Sequence, residues 1–147
     1  MILVDAGPLV ALVDADDQHH QRCAATFKQL RETLATVWPA VTEAMYLLSD
    51  LPKGQEAVWE LLARGVVRLL PLDLGDVARM RELMRKYADR PMDLADAALV
   101  RVAERERIRK VFTVDERDFK VYRLHDQARF TVMPTEDQRS RRARQPD

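Results

Sequence analysis

Ile2-Leu3-Val4-Asp5-Ala6-Gly7-Pro8 is the stretch that decides the fold: three branched apolar residues, an acid, then a proline. The run is too short for a helix and shows no polar alternation, which predicts a strand buried on both faces, as in a parallel sheet. Pro8 suits the first turn of a helix, where its missing N–H goes unmissed, and Leu9, Val10, Leu12 and Val13 follow at helical spacing. The same grammar recurs at Lys110-Val-Phe-Thr-Val114, an apolar run that ends on Asp115. Between these two strands the pattern predicts a helix from His19 to Leu34 and a strand over Thr36 to Trp38. Pro39 then opens a helix carrying Val41, Met45, Leu47 and Leu48. A helix over Gln55 to Arg64 is stopped by Gly65, and a strand over Val66 to Leu72 leads to a helix over Gly75 to Tyr87. A long helix from Asp93 to Arg107 and a closing edge strand at Phe130 to Met133 complete the reading. Strands alternating with helices predict a three-layer α/β/α sandwich around a central, mostly parallel sheet. That domain would occupy residues 1–134. Residues 135–147 carry Arg139, Arg141, Arg142 and Arg144 without apolar periodicity, and read as a polar, solvated tail.

The composition narrows the class. A chain of 147 residues with 47% hydrophobic and 33% charged residues can build one core without staples. Cys23 is the single cysteine, so no disulfide can form within the chain, and a reducing, cytoplasmic setting is the expectation. No run approaches the length of a membrane span, and no export signal precedes Asp5. The 24 Lys and Arg balance 24 Asp and Glu. This argues against a domain that grips nucleic acid by bulk electrostatics, since such domains are strongly basic.

Four acids stand where acids are not needed. In parallel sheets ligands bind beyond the carboxyl ends of the strands, and Asp5 and Asp115 both fall there. Each alone reads as an ordinary helix cap. Asp96, however, shares a helix face with Leu99, Val100 and Ala103, which is the apolar stripe. Glu43 shares its face with Tyr46 and Leu47, one turn into a helix, and no Ser or Thr at position 40 makes it half of a capping box. The helix dipole offers each of these two a bland explanation. Together, all four can reach one end of the sheet, where carboxylates repel unless a cation lies between them. Hard oxygen donors select Mg²⁺ or Mn²⁺. Metal-assisted hydrolysis of a phosphodiester is the chemistry that such a set suits.

The blocks Ile2-Leu-Val-Asp-Ala-Gly-Pro-Leu-Val-Ala-Leu12, Asp16-Asp-x-His-His-x-x-Cys-Ala24, Thr42-Glu43, Asp93-Leu-Ala-Asp-Ala-Ala-Leu99 and Thr113-Val-Asp-Glu-Arg-Asp-Phe119 resemble, in order and spacing, the successive blocks of a PIN domain. Small single-domain PIN proteins of this length resemble the toxins of VapBC-type toxin–antitoxin pairs. The resemblance implies a PIN-like fold and an Mg²⁺-dependent endoribonuclease acting on RNA. It also implies a homodimer held inactive by a cognate antitoxin. Carried over residue by residue, the catalytic acids would be Asp5, Glu43, Asp96 and Asp115, with Asp5 and Asp96 as the direct metal ligands. Two alternatives are carried with them: Asp93 for Asp96 as the inner acid, where the following Ala-Ala-Leu favours Asp96 and leaves Asp93 a supporting place, and Asp118 for Asp115, where Asp115 is preferred as the residue next to the strand and Asp118 reads as a cap or surface residue. Thr113 is a candidate to orient a carboxylate or water, and Arg117 and Lys120 are candidates to hold RNA phosphate.

Other features carry less. His19, His20 and Cys23 make a short His-x-x-Cys string, but only His125 remains to complete a zinc site, so they read as helix-surface or interface residues. Trp38, Trp59, Tyr46 and Phe27 fall on apolar faces and read as core. Leu47, Leu48 and Leu51 with Val58, Leu61 and Leu62 form a helical hairpin about Pro52-Lys-Gly54 that could complete the core or form a dimer or antitoxin groove. The rival functions are a non-toxin nuclease of the same fold, a non-catalytic binding module, and, last, an α/β signalling domain using an acceptor Asp with Lys110.

Overall fold

The computed structural model describes residues 1–134, so the expected tail over 135–147 lies outside the described residues. The chain runs β1 (Ile2–Val4), α1 (Ala6–Val13), α2 (His20–Gln29), β2 (Leu34–Thr36), α3 (Trp38–Leu47), α4 (Pro52–Ala63), β3 (Val67–Leu69), a 3-10 turn (Leu74–Asp76), α5 (Val77–Lys86), α6 (Leu94–Glu106), β4 (Lys110–Phe112), α7 (Glu116–Val121) and β5 (Thr131–Met133). The five strands pair only in parallel, in the order β3-β2-β1-β4-β5, with Ile2 beside Leu34 on one side and Lys110 on the other. The expected three-layer sandwich is therefore present, and its sheet is parallel throughout the described residues.

The alternation of the strands explains the two cores. Ile2 and Val4 join one apolar cluster with α1 to α4, whereas Leu3 points into the other with α5, α6 and α7. Burying a Leu, Ile or Val side chain contributes roughly 1.5–3 kcal/mol, so strands of only three residues hold because both faces are covered. In α6 every residue from Ala95 to Val100 is buried, and its four alanines let the helix lie close against the sheet. A clasp ties α5 to α6: the buried Asp76 carboxylate accepts from Arg101 Nε at 2.8 Å, an Arg105 terminal nitrogen at 2.9 Å and the Asp73 N–H at 3.0 Å.

Several boundaries move from the expected ones. The second helix stops at Gln29, because Leu30 turns extended, and the following strand is Leu34–Thr36 rather than Thr36 to Trp38. Pro39 sits at the helix start with Trp38 before it, so α3 begins sooner. The helix expected from Gly75 starts instead as a 3-10 turn capped by Asp73. Gly65, at φ 70°, ends α4 as expected. Two side-chain expectations fail. Trp38, Trp59 and Tyr46 are not core: they are 50%, 48% and 77% exposed, the two indoles meeting edge to face at 6.2 Å. α3 packs on both α1 and α6, and helical spacing leaves its remaining face outward. Cys23 is not a surface residue but is buried under α1, while His20 Nδ1 contacts the Ala11 carbonyl oxygen at 2.6 Å.

Candidate active site

The carboxyl end of the sheet is where strand ends and helix starts converge. Asp5 follows β1 directly and caps α1, one carboxylate oxygen accepting the Ala6 N–H at 2.8 Å. The other accepts the Thr113 hydroxyl at 3.0 Å, and the same Thr113 oxygen receives the Asp115 N–H at 3.0 Å. Thr113 thus links the end of β4 to the end of β1. The approach is close: a Cβ on Gly7 would lie 2.3 Å from a Val114 methyl, so only glycine lets α1 start against this loop.

Across the site, Asp93 caps α6 and accepts the Asp96 N–H at 2.8 Å. Asp93 is exposed and spends an oxygen on capping, whereas Asp96 points inward at 9% exposure and accepts the Tyr122 hydroxyl at 2.9 Å. Of the pair that the sequence leaves open, Asp96 is the buried one. The second pair separates by charge: Asp118 is bridged to Arg90 at 3.2 Å, while Asp115 is exposed and forms no ion pair among the described residues. Glu43 projects from α3 in a half-buried position. Lys120 is bridged to Glu116 at 3.6 Å, and Arg117 is exposed beside Asp115.

The electrostatics show that these groups share one space. Burial raises the Asp5 carboxyl above its ordinary range; the Ala6 N–H and Thr113 hydroxyl oppose this, and Asp93 and Asp118 add repulsion. Burial, then the Asp5 and Asp93 charges, push Asp96 up to about 8. Burial, then the neighbouring Asp118 carboxyl and Asp5, push Asp115 up to about 6. Glu43 is raised by burial first and then by Asp93, Asp5 and Asp115. No Lys or Arg pairs with Asp5, Glu43, Asp96 or Asp115 among the described residues. The four carboxylates therefore repel one another without a balancing side-chain charge among the described residues.

The donor set fits a hard divalent ion: carboxylate oxygens, with no sulfur or imidazole. Among the described residues no three His, Cys, Asp or Glu side chains close into a metal cage. Mg²⁺ does not require one, because it commonly keeps several waters and takes one or two carboxylates. Tyr122 and Arg90 are the neighbours that the sequence reading missed. No local pattern marks Tyr122, which follows α7 and lies 26 residues along the chain from Asp96, so only the tertiary fold brings the two together.

A model of the PIN domain matches residues 2–125. The chain belongs to the PIN-domain family. This PIN domain is 29% identical over 135 residues to Ribonuclease VapC26 of Mycobacterium tuberculosis, covering 90% of this chain and all of that protein. Its fold is similar to the crystal structure of VapC20 from the same organism, titled a sarcin–ricin-loop-cleaving toxin, with a TM-score of 0.73 at 18% identity, over 80% of this chain and 92% of that one. Among the described residues of the PIN domain no helix is long and apolar enough to cross a membrane.

Proposed function

We propose that this PIN domain is a divalent-metal-dependent endoribonuclease and the toxin of a toxin–antitoxin pair. The observation that carries the reading is the pair of buried carboxylates, Asp5 and Asp96, at 8% and 9% exposure, facing Glu43 and Asp115 with no cation among the described residues to balance them. Similarity to Ribonuclease VapC26 across the whole of that protein supports RNA as the substrate.

Asp5 and Asp96 would hold Mg²⁺, or Mn²⁺ in its place. The bound ion supplies positive charge beside the scissile phosphate and lowers the pKa of water enough for attack near neutral pH. Asp115, exposed just after β4 and without an ion pair among the described residues, would take a proton from the attacking water, and Glu43 would complete the cluster. Thr113 orients Asp5, Asp93 supports the start of α6, and Asp118, paired with Arg90, borders Asp115. Arg117 is placed to meet RNA phosphate; Lys120 can do so only by leaving Glu116.

In this reading residues 1–134 form the nuclease and 135–147 an Arg-rich tail. The protein works in the cytoplasm as a homodimer restrained by a cognate antitoxin. The exposed Trp38, Tyr46, Leu47 and Trp59 support a protein-covered surface along α3 and α4. The test is incubation of purified protein with RNA and Mg²⁺, followed by analysis of the new ends. Internal cuts without a 2′,3′-cyclic phosphate are expected from attack by water. Cyclic ends, or intact RNA, would overturn the reading.

A further inference from the structure

We propose that Tyr122 is a positioning residue for the acidic centre: its hydroxyl commits one oxygen of Asp96 to the protein and leaves the other aimed at a divalent cation. This inference rests on the metal-dependent reading above.

Tyr122 follows α7 directly and is fully buried. Its ring meets Tyr87 at 5.0 Å and Phe119 at 5.3 Å between centroids, both edge to face, and its N–H donates to the Asp118 carbonyl at 3.0 Å. Ring and backbone are therefore both fixed. A buried phenol needs a hydrogen-bond partner, and the one reached is Asp96 Oδ2 at 2.9 Å. Among the described residues Asp96 Oδ1 accepts no hydrogen bond, and no fully buried side-chain oxygen is left without a partner, so Oδ1 is the oxygen open to solvent.

The arrangement matters because the last torsion of an aspartate is soft, and a carboxylate held only at its Cβ swings through a broad range. Mg²⁺ demands near-octahedral geometry, so a ligand that must first be frozen binds it less well. Tyr122 freezes Asp96 in advance. Tyr87 gives an internal contrast: its hydroxyl accepts the Arg123 N–H at 3.0 Å and serves the backbone, not the acids.

The experiment compares wild type, Tyr122→Phe and Tyr87→Phe for Mn²⁺ affinity by electron paramagnetic resonance, with melting curves to establish folding. Tyr122→Phe keeps the ring and is expected to bind Mn²⁺ about tenfold more weakly, the usual effect of removing a ligand's hydrogen-bond partner. Tyr87→Phe is expected to bind as wild type does. In RNA cleavage, Tyr122→Phe should lose kcat at limiting metal, recover it at saturating metal, and keep KM for RNA. Wild-type Mn²⁺ affinity in folded Tyr122→Phe would overturn the positioning role while leaving the nuclease reading intact. Absence of Mn²⁺ binding by the wild-type protein would overturn both. If Tyr122→Phe does not fold, Mg²⁺ titration of the wild-type protein decides: the Tyr122 ¹³Cζ resonance is expected to move with the binding curve, and a resonance that stays still overturns the role.

Discussion

Replacing Asp96 by Asn should make the metal-free protein more stable, although it removes a central residue of the site. In the folded chain the Asp96 carboxyl titrates at about 8, against 3.8 for the ordinary side chain, because burial and the nearby Asp5 and Asp93 disfavour its charge. The folded state therefore holds a proton between these two values that the unfolded state has released. Stability is fully present below the unfolded value and is lost as pH rises through the folded one. One pKa unit corresponds to about 1.4 kcal/mol, so at pH 7 the linkage amounts to about 4 kcal/mol, removed when residue 96 cannot ionise. Asn retains a carbonyl oxygen to accept the Tyr122 hydroxyl, so packing and hydrogen bonding change little. For a chain of this size the gain corresponds to about 10 °C in melting temperature. Urea melts of both proteins in EDTA, from pH 4 to pH 8, provide the assay. Asp96→Asn should be more stable by up to that amount at pH 7, and the two curves should converge toward pH 4. Excess Mg²⁺ should stabilise the wild type far more than the variant, narrowing the gap. Equal or lower stability of Asp96→Asn at pH 7, or a gap unchanged at pH 4, would show that the buried Asp96 charge does not destabilise the metal-free fold.

Three further outcomes follow from the packing. Gly7→Ala would force a Cβ to within 2.3 Å of Val114, so it should lower stability by about 1–3 kcal/mol and slow RNA cleavage by displacing the Thr113–Asp115 loop. Asp76→Ala takes the carboxylate from Arg101 and leaves Arg105 only Glu106 and the Pro71 carbonyl, so it should lower stability by about 1–3 kcal/mol in urea melts, with cleavage per folded molecule unchanged. Thr113→Val, similar in shape, removes the hydroxyl bridging Asp5 and the Asp115 N–H; Mn²⁺ affinity read by paramagnetic resonance should fall about tenfold.

Much of this was legible in the sequence because the central strands are buried on both faces. Ile2-Leu3-Val4 and Lys110-Val-Phe read as central strands, and because they are parallel neighbours the acids that follow them fall at the same carboxyl end of the sheet. Asp96 was legible because an acid on an apolar helix stripe violates the pattern around it. The sequence favours Asp96 over Asp93 and Asp115 over Asp118, but it does not show which carboxylate is spent on the α6 cap or that Arg90, 28 residues from Asp118, reaches it. Trp38, Tyr46 and Trp59 misled for the opposite reason. Periodicity marks a face as apolar but does not say whether this chain covers it, and α3 packs on α1 and α6 with its remaining face open. Tyr122 was invisible because its partner lies 26 residues away, on α6.

The central claim is that the acids at the end of β1 and the start of α6 hold a divalent cation that cuts RNA. RNA cleavage by wild type and Asp5→Asn, each folded and each measured with Mg²⁺ and with EDTA, tests it most directly. Cleavage is expected from the wild type with Mg²⁺ alone, with a loss of at least about a hundredfold either in EDTA or on Asp5→Asn. Undiminished cleavage in EDTA, or by Asp5→Asn, would contradict it.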